Sequence, residues 1–183
     1  NEVIRKRKSV YPMQFIDKDI SKEVLNELLL NANHAPTHRL TEPWRFKIFT
    51  GEGKVNLGKF MAEKYKATAK EPMDAKIQKI QQNASKSGAV LAIILHRDEE
   101  ERVPEWEELA AVSMAVQNIW LALDQYDLGG YWSSPPLADY LREHVKMQEN
   151  ERCIGFFYLG YYKQFQSRMV KKPIENKIEW INS

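Results

Sequence analysis

From Leu109 to Leu123 the chain reads LAAVSMAVQNIWLAL, apolar at every position except Ser113, Gln117 and Asn118. A helix with one apolar stripe is satisfied by one neighbouring layer, whereas a helix apolar nearly all round must be covered on nearly all sides. In a chain of 183 residues this predicts a central helix. It would pack on its own sheet on one side and against a second protomer on the other.

The flanking elements follow from periodicity. Val24, Leu25, Leu28, Leu29 and Ala32 predict an amphipathic helix over Ser21–Asn33, with Ser21 as cap and Ile20 with Leu25 spaced as a hydrophobic staple. WRFKIFT (44–50) alternates as a half-exposed strand does, and AVLAIIL (89–95) has the unbroken apolarity of a buried strand. A helical region spans about 54–83, interrupted near Pro72. LGGYWSS (128–134) is expected to turn through its two glycines into a short strand, followed by a helix over about 137–147 with Ser134 placed to cap it. CIGFFYLGYY (153–162) supplies a last strand. Alternating helices and strands usually build a parallel doubly wound sheet. The unequal helices and the buried central one point instead to an α+β sandwich. No repeat, linker or low-complexity tract divides 1–183, so a single domain is expected.

Composition excludes several classes. The 27 basic and 25 acidic side chains leave a net charge of +2, too small to argue for nucleic acid. Cys153 is the only cysteine, so no internal disulfide forms, and a reducing, cytoplasmic compartment is expected. There is no run long enough to span a membrane and no signal-peptide pattern at the basic N-terminus. TGEGKVNLGKF (50–60) imitates a dinucleotide fingerprint, but Asn56 stands where the third glycine belongs, and a plain turn is the better reading. His34 and His38 are separated by Pro36 and have no further ligand at a recognisable spacing, so no metal site is expected. No serine sits in a nucleophile elbow, and Cys153 lies inside an apolar strand.

Three polar loops at element ends remain: RKS (7–9), HAPTHR (34–39) and YWSSP (131–135), with the basic tail RMVKKP (168–173). Arginine, lysine and short hydroxyl side chains suit a phosphate, and a tryptophan among small polar residues suits a flat heteroaromatic ring. Basic residues at both ends of the chain, with the acidic RDEEERVPEWEE (97–108) between, are consistent with the ends meeting around an anion.

These segments, in this order, resemble the FMN-dependent nitroreductase family, particularly its short members, over nearly the whole chain. RKS resembles the family's Arg-basic-Ser motif, and APTHRLTEPWRF its A-P-S-x-x-N-x-Q-P-W-x-F segment. RVPEWE, LGGYWSS, IGFFYLGYY and KKPIENKIEW resemble four further elements. The resemblance implies an intertwined homodimer with FMN at the interface and a C-terminal segment, about 163–183, crossing to the partner. It implies that Arg7, Lys8 and Ser9 bind the FMN phosphate and ribityl chain. His34, Pro36, Thr37 and His38 would line the isoalloxazine of the partner's flavin, and Trp132, Ser133 and Ser134 would lie along the flavin edge. Arg168, Lys171 or Lys172 would complete the phosphate site. The implied activity is NADPH or NADH oxidation by a ping-pong hydride transfer through FMN to nitroaromatic or quinone-like acceptors, with no dedicated catalytic side chain.

Three positions depart from the family pattern: Tyr11 where many relatives carry a basic residue, Leu40 where they carry Asn, and Glu42 where they carry Gln. The missing cation at Tyr11 motivates an alternative, a flavin-binding sensor or carrier with weak turnover. A basic binding module without flavin is a third reading.

Overall fold

The computed structural model describes residues 1–165 and 171–182. Its centre is one sheet of β1 (Trp44–Phe49), β2 (Ala89–His96), β3 (Leu128–Ser133) and β4 (Glu151–Tyr161), in the order β1-β2-β4-β3 with every pairing antiparallel. The parallel arrangement suggested by alternation alone is absent here, as the α+β expectation requires. Successive strand residues face opposite sides, so a strand covered on both faces must be apolar throughout. In β2 every residue from Ala89 to Leu95 is buried. Leu91, Ile93 and Leu95, with Phe157 and Leu159 of β4, meet α2 (Lys22–Asn33) and α5 (Glu105–Ala122). Val90, Ala92 and Ile94, with Phe156 and Tyr158, meet α3 (Gly51–Thr68) and α4 (Asp74–Lys86) on the other face. A short helix, α1 (Glu2–Lys6), opens the chain.

Local signals account for most boundaries. Ser21 Oγ accepts from the Val24 N–H at 3.4 Å, and Ile20 and Leu25 are both buried in the core beneath α2. The long helical region divides into α3 and α4, with Pro72 in the break between them, and α3 begins at Gly51 rather than Lys54. The central helix starts at Glu105, four residues before its apolar run. Glu105, Glu107 and Glu108 in its first turn complement the positive end of the helix dipole. Glu108 is buried and pairs with Arg97, tying the end of β2 to α5.

Two expectations need correction. The turn before β3 is made by Asp127, in the left-handed region at φ 55°, while Gly129 and Gly130 lie within the strand. They are needed there for close approach: a Cβ on Gly129 would lie 2.5 Å from Val10 Cβ, and one on Gly130 2.7 Å from Phe157 Cζ. The expected helix over 137–147 is a 3-10 segment, Pro136–Glu143, entered through Pro135 with no side-chain cap from Ser134. Pro136 holds Pro135 extended, and the buried pair Ala138 and Leu141, three residues apart, suits three residues per turn.

Candidate active site

The N-terminal segment meets edge strand β3 and the end of β4. Ile16 N–H donates to the Tyr161 carbonyl at 2.8 Å, and Val10 N–H to that of Gly130 at 3.0 Å. Arg7, Lys8 and Ser9 are thereby pinned just before Val10. The Arg7 guanidinium lies 4.7 Å above the Trp120 ring, and Trp120 Nε1 donates to the Lys8 carbonyl at 3.1 Å. Lys8 Nζ donates to the Phe165 carbonyl at 3.0 Å and to Gln164 Oε1 at 3.3 Å. Both cations border a small notch of about 20 Å³ between the N-terminus, Trp120 and β3. Ser9 is half-buried.

On the α3–α4 side of the same edge lies a cavity of about 670 Å³. One wall is aromatic: the Tyr11 and Tyr131 rings are 4.6 Å apart and those of Tyr131 and Tyr158 are 6.4 Å apart. Burial pushes the Tyr158 hydroxyl pKa up, so that hydroxyl stays protonated. Ser133 and Pro135 continue the wall, while Tyr65, Lys76, Lys79 and Asn83 line the opposite side. No lining residue is Asp or Glu. Tyr11 is fixed by a turn in which its N–H donates to Gln14 Oε1 at 2.9 Å, and Lys76 Nζ sits 4.5 Å above the Tyr65 ring.

The structure brings together only some of the residues selected from the sequence. Ser133 lines the cavity, Ser134 is exposed beside it, and Trp132 faces the other way into the α5 core, as period two demands. Trp132 Nε1 is buried and has no hydrogen-bond partner among the described residues. Arg7 and Lys8 border the notch rather than the cavity. His34 caps the end of α2, exposed, and Pro36 is also exposed. Thr37 Oγ1 bonds to Thr41 Oγ1 at 3.1 Å, and His38 Nδ1 lies 2.6 Å from Glu107 Oε2. None of these four loop residues lines the cavity of the same chain. Lys171 and Lys172 are exposed, and Arg168 lies outside the described residues. Lys76, Lys79 and Asn83 escaped the sequence reading: their spacing marks one face of α4, but it reads equally well as a solvated face.

The model of the Nitroreductase family matches residues 4–161, a span that contains all four strands. The chain belongs to the nitroreductase family. Among similar proteins, YfhC of Bacillus subtilis (strain 168), provisionally named an NAD(P)H nitroreductase, is 28% identical over 179 residues, covering 96% of this chain and 91% of YfhC. YdjA of Escherichia coli (strain K12), provisionally named likewise, is 26% identical and covers 82% of each chain. A nitroreductase-like protein from Bacillus cereus superposes with a TM-score of 0.87 at 27% identity, over 100% of this chain and 95% of that one. At 19% identity a Desulfovibrio desulfuricans protein, solved in complex with FMN, shares the fold with a TM-score of 0.74 over 97% and 93% of the two chains.

Other sites weighed in this nitroreductase-family chain have structural roles. At the glycine-bearing start of α3, Lys54 is buried and donates to the Ser87 carbonyl, with Asp19 3.8 Å away. Burial pushes the Cys153 thiol up to about 12, which leaves it protonated and unreactive. Among the described residues no cluster of three or more His, Cys, Asp or Glu could hold a metal ion, and no helix is long and apolar enough to cross a membrane.

Proposed function

We propose that the protein is an FMN-dependent NAD(P)H oxidoreductase, a cytoplasmic homodimer that oxidises NADPH or NADH and reduces nitroaromatic or quinone-like acceptors in a ping-pong cycle. The observation that carries this reading is the 670 Å³ cavity, walled by tyrosines and free of carboxylates, on a nitroreductase fold. Its volume suits a tricyclic ring. The absence of carboxylates suits an electron-rich ligand, and the cations at the notch suit a phosphate. The FMN bound by the Desulfovibrio relative supports the same group here.

When bound, the flavin supplies two-electron hydride chemistry. The chain's own residues hold and shield it. Arg7 and Lys8 would neutralise the phosphate, with Ser9 beside them and Lys171 or Lys172 completing the charge. Tyr11 and Tyr131 offer faces for stacking and keep water from one side of the cavity. Ser133 and Ser134 offer hydroxyl and backbone donors at its edge. Lys76 and Lys79 provide positive potential where Tyr11 brings none. Donor and acceptor would use one cavity in turn.

Two features support the dimer. The outer face of α5 leaves Trp106 68% exposed, Leu109 38% and Met114 39%, which is a poor surface to leave in water. In the tail, Ile174, Ile178, Trp180 and Ile181 are likewise exposed. A second protomer would cover both, and would bring the His34–His38 loop of one chain towards the flavin of the other.

The test is FMN titration of wild type and Arg7→Ala. Loss of a charge-assisted phosphate contact should raise the Kd for FMN roughly 10- to 100-fold. An unchanged Kd would contradict the phosphate assignment.

A further inference from the structure

We propose that Glu107 positions His38: the two form a hydrogen-bonded dyad that fixes the imidazole tautomer and presents Nε2 to the electron acceptor as a proton donor. This rests on the flavin reading above.

His38 Nδ1 and Glu107 Oε2 are 2.6 Å apart. A carboxylate only accepts, so Nδ1 carries the hydrogen. In the neutral ring the lone pair is therefore on Nε2, and an added proton goes there. Exposed ion pairs are commonplace and contribute little, but this one is held by unusual means. Arg39, Leu40 and Glu42, three of the four residues after His38, have φ values of 52°, 54° and 41°. Left-handed backbone costs a non-glycine residue on the order of 1 kcal/mol, and such strain persists only where the surroundings over-determine it. Here Thr37 Oγ1 bonds to Thr41 Oγ1 and accepts from the Glu42 N–H at 3.2 Å, while Thr41 N–H donates to the His38 carbonyl at 3.3 Å. The loop is locked into a shape that delivers His38 to Glu107.

The placement is also informative. The Glu107 side chain is 24% exposed and that of His38 60%, so the carboxylate is anchored while the ring stays accessible. Glu107 adjoins Trp106, on the border of the uncovered apolar face of α5. In the dimer proposed above, that border faces the partner's flavin and its acceptor. A quinone that gains a hydride at one oxygen, from NAD(P)H by way of the flavin, needs one proton at its other oxygen to become the hydroquinone. The cavity has no carboxylic acid, whereas histidine is suited to proton donation near neutrality. His38 would give the Nε2 proton, remain as neutral imidazole with its Nδ1–H on Glu107, and recover a proton from solvent.

The experiment compares wild type with Glu107→Gln as purified, by two-bond 15N–1H correlation spectra of the neutral imidazoles. Wild type should show His38 as the Nδ1–H tautomer. The glutamine amide can donate to Nδ1, so the variant should shift to Nε2–H. With a quinone acceptor, Glu107→Gln and His38→Leu should each lower kcat roughly tenfold or more, with kcat/KM for NAD(P)H unchanged, as a ping-pong cycle requires, and partial recovery in Glu107→Asp. The same tautomer in both proteins, or an unaltered kcat after a tautomer switch, would overturn the proposal. Failure of wild type to bind FMN would strike the flavin reading itself and leave the tautomer result standing.

Discussion

Single side chains fix the site more by what they exclude than by any chemistry of their own. Gly129 and Gly130 let the N-terminal segment and Phe157 approach β3, which places Val10 and therefore Arg7, Lys8 and Ser9 at the edge of the sheet. Those three residues could be singled out from their sequence because charge clustering survives without a structure. The reason for the glycines could not, since close approach involves partners on other segments, Val10 for Gly129 and Phe157 for Gly130. The acidic segment 97–108 is similar: its charge is plain, but its pairing is not. Asp98 accepts from Arg102 Nε at 2.8 Å, from Arg102 Nη2 at 2.6 Å and from the Arg102 backbone N–H at 3.0 Å. These bonds hold its carboxyl at about 2, below the ordinary 3.8. Because the folded value is the lower one, the pair's stabilisation is complete above about pH 4 and fades as pH falls through 2. Arg102→Leu should therefore lower Tm at neutral pH and converge with wild type near pH 2. A Tm difference that stays constant across this range would contradict the assignment.

Whole elements were easiest to read where one periodicity dominates. β2, buried on both faces, and α2, with its cap and staple, are both as expected. The 3-10 segment Pro136–Glu143 reads in sequence as a longer helix because its two buried residues fit either period. The cavity wall from α4 was illegible for a related reason: Lys76, Lys79 and Asn83 gain meaning only opposite Tyr11 and Tyr131. The most constraining element, α5, buries Ala111, Val112, Ala115, Val116 and Ile119 in its own core and leaves Trp106, Leu109 and Met114 uncovered. Met114→Asp would place a charge in the proposed interface, where an unpaired ion costs several kcal/mol. Sedimentation at micromolar concentration should show a monomer with weakened FMN binding. A dimer with full FMN occupancy would move the interface elsewhere.

At the scale of the molecule, the sheet carries Tyr131 and Tyr158, α3 and α4 close the cavity, and the N-terminal cations stand at the same edge on the α5 side, at Trp120. The fold could be read largely from patterning within one chain. The proposed site could not, because among the described residues neither the His34–His38 loop nor 171–182 lines the cavity. A sensor or carrier would share all of this architecture and differ only in turnover, so electron transfer decides between the readings. The most direct measurement is the visible absorbance spectrum of the FMN-loaded protein, before and after anaerobic addition of NADPH and, separately, NADH. The account predicts a yellow band that bleaches with at least one donor and returns when a quinone is added. A band that persists with both donors, or no band after FMN is supplied, would contradict it.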